Sequence, residues 1–386
     1  SNLGFQSENI FICGDQKENI KKNISNAAES ADLIFITGGL GPTKDDLTKE
    51  AFAEALNLEL VYAKKIEKEL KSFFASHNSK MTNNNLSQAY IPSGAEVIKN
   101  EKGTAPALKL RKNSKTFYLL PGVPAELKYL FKNKIVADLK NMTKNRLMIR
   151  ELNFIGIGES TLASKIEALE LNSALKISYQ AGKAEVKVRL KIDRQSKRKN
   201  KKNTEIINQA AAKIKKELKD FIYGQGQQDI LDKVHKLLIS KNLSIATAES
   251  FTGGLIAERL TKKAGSSQYF FGSIVAYNEK IKKELLNIDP ELINKYGVVS
   301  RECVRAMVES TAQIFDSKIA VAATGAAGPT AHNGKSAGTM FVSIFYQKKI
   351  KIIKMQKNYG REMNCFYASQ IVLFEIYKLL KESEEN

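Results

Sequence analysis

The chain has 386 residues, which at about 150 residues per domain predicts two or three domains. Hydrophobic residues make up 43% and charged residues 26%, so a largely disordered or collagen-like chain is excluded. The 61 Lys and Arg residues outnumber the 41 Asp and Glu residues and give a net charge of +20. That charge would suit an anionic partner. Because the bases are mostly lysines spread along the chain, a diffuse solvated charge is the favoured interpretation.

The number of cysteines and the length of the apolar runs indicate the cellular compartment in which the protein is expected. The three cysteines, Cys13, Cys303 and Cys365, are far apart and odd in number, which argues against a disulfide framework or a CxxC zinc site. No run approaches about 18 apolar residues, and residues 1–10 lack a basic segment followed by an apolar core. We therefore expect a cytoplasmic protein with no membrane partner.

The first segment has the pattern of an α/β domain. The apolar run 31–37 ends at Gly38-Gly39, and a second run, 116–120, ends at Pro121-Gly122. Between these two runs, apolar residues recur at helical spacing over 47–58. Strand, glycine turn and helix in this order predict a parallel sheet.

The glycine turn of this segment is a candidate ligand site. Backbone amides of Gly38, Gly39 and Gly41 could cradle a phosphate. Asp45 and Asp46 follow, and they could hold a divalent metal that bridges a pyrophosphate. The alternative is that both aspartates cap the next helix and favour its positive end.

The second segment, about 150–226, predicts a small α+β unit. It has an apolar run at 152–155, alternation at Val186, Val188 and Leu190, and a helix that we expect Thr204 to cap. The basic run 191–202 lies between them and is predicted to be an exposed loop. Residues 223–228, YGQGQQ, are the best linker candidate.

The third segment contains the strongest local motif, TAESFTGG at 247–254. It places Ser250 between a predicted strand and a helix, exposed at the carboxyl edge of a sheet. Amides of Thr252, Gly253 and Gly254 would be unpaired there, which suits either a phosphate or a developing oxyanion. The alternative is that Ser250 or Thr252 is only a helix N-cap.

A serine nucleophile needs a base, and no histidine of this chain is placed for that role. Tyr277 and Lys282 follow the strand predicted at 273–277, and a desolvated lysine can serve as base with tyrosine relaying a proton or donating a hydrogen bond. The alternative for Lys282 is a surface helix lysine. Thr324 and Gly325 end another predicted strand, where small residues allow a ligand to approach the backbone or simply form a turn.

These motifs resemble the C-terminal domain of the CinA family, which has ESFTGG, the Tyr–Lys pair and ATGAAGP in this order and spacing. The resemblance implies a three-layer α/β nicotinamide-nucleotide amidohydrolase of pyridine nucleotide salvage. Such an enzyme hydrolyses the carboxamide of nicotinamide mononucleotide (NMN) to nicotinate mononucleotide and ammonia, without a cofactor. It implies catalytic roles for Ser250, Tyr277 and Lys282. It implies substrate contacts by Glu249, Thr252, Gly253, Gly254, Thr324, Gly325 and Arg361.

The rest of the chain resembles the other parts of CinA. TGGLGPTKDDLTKE (37–50), MTNNNLSQAYIP (81–92) and PGVPAEL (121–127) match a doubly wound molybdopterin-binding domain of the MoaB/MogA type, and GIGEST (156–161) matches a small KH-like domain. We therefore predict domains over 1–148, 149–226 and 227–386, and expect a homodimer.

The resemblance also implies an ADP-ribose pyrophosphatase activity in the first domain. The family normally begins with a strand and a helix that precede the position of Leu3-Gly4. We expect the first domain to lack both, together with an acidic residue of its pocket, and the pyrophosphatase activity to be weak.

Two other functions remain open. A nucleic-acid-binding or competence-associated factor could use the KH-like domain and the basic run. The absence of interleaved aromatic residues in that run argues against stacking on single strands, so nucleic acid is not the expected partner. A molybdopterin-binding module would rest on the first domain alone.

Overall fold

The computed structural model describes residues 3, 5, 7–142, 148–192, 197–332 and 334–385. The chain divides into two compact units, Ser1–Leu147 and Met148–Asn386. The second unit therefore contains both the predicted middle domain and the predicted C-terminal domain. Within the described ranges, no helix is long and apolar enough to cross a membrane.

The first unit is an α/β structure with a four-stranded sheet in the order β1-β6-β5-β4 and a separate β2-β3 pair. It also has a 3₁₀ segment, Asn83–Ala89, and a π-helical turn, Phe131–Ile135. Its elements are α1 (Lys17–Ser30), β1 (Leu33–Thr37), α2 (Thr48–Ala55), β2 (Leu60–Tyr62), α3 (Lys64–Ser76), β3 (Tyr90–Pro92), β4 (Glu96–Ile98), β5 (Ala107–Lys112), β6 (Lys115–Leu120), α4 (Pro124–Leu130) and α5 (Val136–Met142).

Parallel pairing in this sheet joins β1 to β6, whereas β5 and β4 are antiparallel to their neighbours. The carboxyl ends of β1 and β6 therefore lie side by side. The Gly38 amide donates to the Leu120 carbonyl at 2.9 Å, which brings the two predicted glycine turns together. This edge of the sheet is where an α/β fold places a ligand.

The second unit begins with an antiparallel sheet in the order β10-β7-β9-β8, covered by two helices. Along β9 every second side chain is buried, as the predicted alternation requires. The elements are β7 (Met148–Phe154), α6 (Glu159–Glu167), β8 (Lys176–Gly182), β9 (Glu185–Ile192), α7 (Lys197–Glu217) and β10 (Ile222–Gln225).

Two predictions for this part are wrong. The helix α7 begins at Lys197, inside the predicted basic loop, so Thr204 lies within the helix and does not cap it. The reason is that Lys and Arg are good helix formers and no Gly or Pro stops the helix earlier. Arg194, a member of the basic run, lies outside the described residues.

The remainder of the second unit is a three-layer α/β structure. Its sheet has the order β12-β11-β13-β14-β15, with β12, β11 and β13 parallel and β14 and β15 forming an antiparallel hairpin. A 3₁₀ segment, Ser266–Gln268, precedes β12. The elements are α8 (Ile230–Ser240), β11 (Ile245–Glu249), α9 (Leu255–Thr261), β12 (Phe270–Val275), α10 (Glu279–Glu284), α11 (Pro290–Tyr296), α12 (Arg301–Phe315), β13 (Ile319–Gly325), β14 (Thr339–Tyr346), β15 (Lys349–Gln356) and α13 (Arg361–Glu385).

Alternation along β13 produces the two faces of this sheet. Val321 and Ala323 belong to a hydrophobic cluster with α8, α9 and α13, whereas Ala320 and Ala322 belong to a second cluster with α11 and α12. Both faces are therefore covered, as expected for parallel strands. The buried strand β11 lies between β12 and β13, so the residue that follows it lies between two parallel neighbours at the carboxyl edge of the sheet.

The predicted linker is part of this packed unit. Tyr223 lies in β10 and is buried, and it shares a hydrophobic cluster with Ile155 and with the buried residues of α8. The Gly226 amide donates to the Glu151 carbonyl at 2.9 Å. The glycines and glutamines of 223–228 predicted a linker, but the first residue of this stretch, Tyr223, is buried in the hydrophobic cluster.

This shared cluster predicts a stability effect that crosses the predicted domain boundary. Ile155 is 0% exposed and Ile314 is 49% exposed in the same unit. We expect Ile155→Ala to lower the free energy of unfolding by about 2–5 kcal/mol, because it leaves a cavity in the core. Ile314→Ala should change it by less than about 0.5 kcal/mol. Hydrogen exchange should show faster opening of α8 in Ile155→Ala, and unchanged α8 exchange would contradict the shared core.

Candidate active site

Ser250 occupies a tight turn between β11 and α9. Its amide donates to the Ala323 carbonyl at 2.9 Å, and the Gly253 amide donates to the Ser250 carbonyl at 3.0 Å. Gly253 and Gly254 have φ values of 61° and 95°, a left-handed conformation that glycine adopts without strain. The two glycines therefore let the chain reverse directly after Ser250 and enter the helix.

Lys282 reaches Ser250 from α10. Its Nζ lies 3.0 Å from Ser250 Oγ, 2.6 Å from the Ala276 carbonyl oxygen and 3.5 Å from the Tyr277 carbonyl oxygen. The side chain of Asn278 caps this short helix by accepting from the Lys280 amide at 2.8 Å. Lys282 is 1% exposed and Ser250 is 8% exposed, so Lys282 is not a surface lysine.

The surroundings of Lys282 favour its neutral form. Burial lowers the pKa of Lys282 below its ordinary 10.5, and the opposing effects of Cys303 and Glu279 are smaller. In the described part of the chain, no acidic side chain forms an ion pair with Lys282. A neutral amine has two N–H donors and one lone pair. The two carbonyls can only accept, so the lone pair is left for the Ser250 hydroxyl.

Glu249 has a structural task in this turn. It is fully buried, and its two carboxylate oxygens accept the amides of Ile256 at 3.0 Å and Ala257 at 2.8 Å. Glu249 therefore caps α9 from the end of β11. This placement differs from the predicted contact with substrate, because the carboxylate faces the helix.

The capping by Glu249 also decides which amides remain near Ser250. The Ile256 and Ala257 amides in the first turn of α9 are engaged by Glu249, which leaves fewer donors for a phosphate at that helix end. Among the residues that the structure describes, the Thr252 and Gly254 amides and the buried Thr252 Oγ1 have no hydrogen-bond partner. These donors lie in the turn that carries Ser250, which suits an oxyanion.

Thr324 and Gly325 support the backbone of the neighbouring loop. The Thr324 hydroxyl is buried and donates to the Val298 carbonyl at 2.6 Å. A Cβ on Gly325 would lie 2.9 Å from the Thr339 carbonyl oxygen, so this glycine allows close packing of β13 on β14. Neither position presents a free side-chain donor to a ligand.

Tyr277 and Arg361 meet on the open side of the site. Arg361, the first residue of α13, donates to the Tyr277 hydroxyl at 2.6 Å and to the Gly328 carbonyl at 3.2 Å. The Tyr277 hydroxyl is therefore directed to Arg361, and its backbone carbonyl faces Lys282. The predicted relay from Tyr277 to Lys282 lacks the side-chain contact that it requires.

Asn364 is a buried residue that the sequence analysis missed. Its Nδ2 donates to the Ala327 carbonyl at 2.9 Å, and its Oδ1 accepts the Tyr359 amide at 3.3 Å. These bonds hold the start of α13, and with it Arg361, against the loop after β13. Asn364 follows Arg361 by three residues, a spacing that places both on one face of a helix, and this spacing could have identified it from the sequence.

The first unit has a separate cavity of about 440 Å³ at the carboxyl ends of β1 and β6. Gly39, Gly41 and Asp46 line it, whereas Gly38 and the exposed Asp45 do not. Burial raises the pKa of Asp46, but hydrogen bonds from the Thr43 hydroxyl and amide, together with the Gly41 amide and the charge of Lys49, lower it below its ordinary value.

The predicted metal site fits this arrangement poorly. Asp46 Oδ2 accepts the Thr43 hydroxyl at 2.6 Å and the Thr43 amide at 2.9 Å, and Asp45 is not turned to the cavity. Within the described ranges, no group of three or more His, Cys, Asp or Glu side chains could hold a metal ion.

Known proteins and family models match nearly the full length of the chain. Family models match at 1–141 ("Probable molybdopterin binding domain"), 149–224 ("Damage-inducible protein CinA KH domain") and 227–380 ("CinA C-terminal domain"). A protein of Halothermothrix orenii named as competence-damage inducible is 37% identical over 98% of this chain and 92% of its own. A CinA-like protein of Dictyoglomus thermophilum is 36% identical over 92% of this chain and 86% of its own. The solved structure of competence damage-inducible protein A from Klebsiella pneumoniae covers 39% of this chain and 93% of its own, at 25% identity and a TM-score of 0.38.

The capping by Glu249 predicts a stability effect within α9. Glu249→Gln keeps the shape of the side chain but turns one acceptor into a donor that faces an amide. We expect a loss of about 1–3 kcal/mol in the free energy of unfolding, measured by chemical denaturation. Glu258→Gln, at an exposed position of the same helix, is the matched control and should change it by less than about 0.5 kcal/mol. Equal stability of the two variants would show that Glu249 is not the cap.

Proposed function

This chain belongs to the CinA family of competence-damage inducible proteins, and from that premise we propose that its C-terminal part is an amidohydrolase that converts NMN to nicotinate mononucleotide and ammonia. The observation that carries the proposal is the 3.0 Å contact between Ser250 Oγ and the buried Nζ of Lys282. A serine beside a desolvated amine has both groups that nucleophilic amide hydrolysis requires.

The first step forms an ester on the enzyme. Ser250 Oγ attacks the carboxamide carbon while the lone pair of Lys282 Nζ takes the hydroxyl proton. The carbonyl oxygen gains negative charge, and the free donors of the Thr252–Gly254 turn stabilise it. When the intermediate collapses, the C–N bond breaks, and the Lys282 ammonium gives its proton to the nitrogen that leaves as ammonia.

The second step releases the acid. Water attacks the ester carbon, and Lys282 accepts a proton from that water. The bond to Ser250 Oγ then breaks, and the proton on Lys282 returns to Ser250. The products are a carboxylic acid and the free serine, so the balanced reaction consumes one water for each ammonia. This route needs no cofactor.

Because the free donors of the Thr252–Gly254 turn are assigned to the oxyanion, the 5′-phosphate of the substrate needs another site. We assign it to Arg361, because the guanidinium stands at the first turn of the long helix α13 on the open side of the site. A guanidinium binds phosphate through charge-assisted hydrogen bonds, and a helix N-terminus favours negative charge. Asn364 would keep Arg361 in place through the Ala327 carbonyl.

The cavity of the first unit supports a narrower proposal. Gly39 and Gly41 line it with backbone that a phosphate-bearing ligand can approach, and Gln88 adds a buried amide oxygen with no partner among the described residues. Because Asp45 and Asp46 do not meet there, we propose ligand binding in this cavity and expect ADP-ribose cleavage to be weak.

The proposal is tested with NMN and the purified full chain. We expect wild-type protein to release ammonia and nicotinate mononucleotide, and Ser250→Ala to lose about 10³-fold or more of kcat, since nucleophile and base act as a unit. Ser240→Ala, at an exposed position of α8, is the control for a serine substitution. Wild-type turnover in Ser250→Ala, or no deamidation by wild-type protein, would overturn the proposal.

The lowered pKa of Lys282 predicts how the rate of deamidation depends on pH. The base must be neutral, so kcat should rise with pH to a plateau whose apparent pKa lies below the ordinary lysine value of 10.5. Between this depressed value and about 10.5 the unfolded chain binds the extra proton, so the free energy of unfolding should also rise with pH in that window. A flat pH–rate profile would exclude Lys282 as the base.

A further inference from the structure

A buried arginine joins the helix that follows Ser250 to the long C-terminal helix. Arg259 lies in α9 and is 9% exposed, and its guanidinium donates to Ser369 Oγ at 2.7 Å and to Gln370 Oε1 at 2.5 Å. The central carbon of the guanidinium lies 4.8 Å from the centre of the Phe366 ring. All three partners belong to α13, so one side chain of α9 makes several contacts with that helix.

This contact places a charge in the interior of the protein. Burial lowers the pKa of the Arg259 guanidinium below its ordinary value. Three carboxylates raise that pKa by smaller amounts, and among the described residues none of them forms an ion pair with it: Asp229, Glu258 and Glu185. A buried charge is costly unless hydrogen bonds compensate for the lost water, and here both acceptors are neutral side chains of α13. Because apolar side chains also pack helices together, the two directed hydrogen bonds supply something that packing lacks.

The two hydrogen bonds restrict how α13 can turn about its own axis. Ser369 and Gln370 are consecutive, and consecutive residues of an α-helix point about 100° apart around the helix axis. A planar guanidinium that holds both acceptors therefore fixes the rotation of α13 as well as its position along the axis. Nearer to its start, α13 also contacts the Ser250 turn, where Cys365 Sγ donates to the Phe251 carbonyl at 3.1 Å.

We propose that Arg259 is a positioning residue, which sets the rotation of α13 so that Arg361 holds the 5′-phosphate of a substrate whose reacting carbon lies at Ser250. Arg361 is the first residue of α13, so a rotation of this helix displaces its guanidinium. The inference rests on the proposed function and on its assignment of the phosphate to Arg361. It adds that discrimination between a nucleotide and the corresponding nucleoside depends on a buried side chain that acts through α13.

The test measures how much the phosphate contributes to binding. The ligands are NMN and nicotinamide riboside, which lacks only the 5′-phosphate. Their dissociation constants are measured by calorimetry on the full chain carrying Ser250→Ala, which prevents hydrolysis. We expect NMN to bind about 10- to 100-fold more tightly than nicotinamide riboside, and Arg361→Met to remove most of this ratio.

Arg259→Lys in the same background is the informative substitution, because lysine keeps a cation but has no planar fork that holds two acceptors at once. We expect it to lower the affinity ratio about 3- to 10-fold by weakening NMN, while the affinity for nicotinamide riboside changes less than about 2-fold. Ser369→Ala removes one acceptor and should lower the ratio in the same direction by a smaller factor. Arg305→Lys, at an exposed position of α12, is the matched control and should leave both affinities unchanged.

A merely structural role of Arg259 predicts a different result, because a loosened fold would weaken both ligands equally. Equal weakening, or a ratio that both Arg259→Lys and Ser369→Ala leave unchanged, would overturn the inference, and so would a ratio near one before either substitution. If Arg259→Lys does not fold, the ratio in Ser369→Ala decides alone.

Deamidation by the wild-type protein is measured separately, so that the inference and the proposed function can fail independently. Deamidation of NMN together with a ratio that does not depend on Arg259 or Ser369 would refute the inference alone. A ratio that depends on Arg259 without any deamidation would refute the proposed function and leave the positioning role. Failure of both ligands to bind would refute both.

Discussion

The burial of one amine beside one hydroxyl is the constraint on which the C-terminal part of this protein depends. Removing the Lys282 amine from water disfavours its charged form, and the effect of Glu279, which forms no ion pair with it, is smaller than that of burial. The carbonyls of Ala276 and Tyr277 satisfy two donors, and Ser250 provides the third contact. The strand end at β12, the short helix α10 and the turn after β11 must therefore all be in place for the contact to exist.

Much of this arrangement could be predicted from local patterns. A buried strand, a serine and two glycines before a helix predicted the Ser250 turn, and the need for a base pointed to Lys282. Burial of both faces of the C-terminal sheet follows from the uninterrupted apolar run of β13. These features depend on spacing within a few residues, or on a chemical requirement that few side chains can meet.

The features that could not be predicted from the sequence are contacts that form only when the chain has folded. Glu249 satisfies amides seven and eight residues away, so only the folded turn shows that its carboxylate is a cap. Tyr277 and Arg361 are 84 residues apart, and their contact removes the tyrosine hydroxyl from the lysine. The early start of α7 has a different cause. A lysine-rich run is compatible with either a loop or a helix, and the helix propensity of Lys and Arg favours the helix here.

The burial of Tyr223 has a consequence for motion within the second unit. A ring that is 2% exposed and packed with Ile155 and α8 cannot leave its place without opening a hydrophobic core. The glycine-rich stretch beside it is consequently not a hinge, and the antiparallel sheet is not a module on a tether. Coupling between that sheet and the Ser–Lys pair would therefore require small shifts of tightly packed side chains, and not the rotation of one rigid body relative to another.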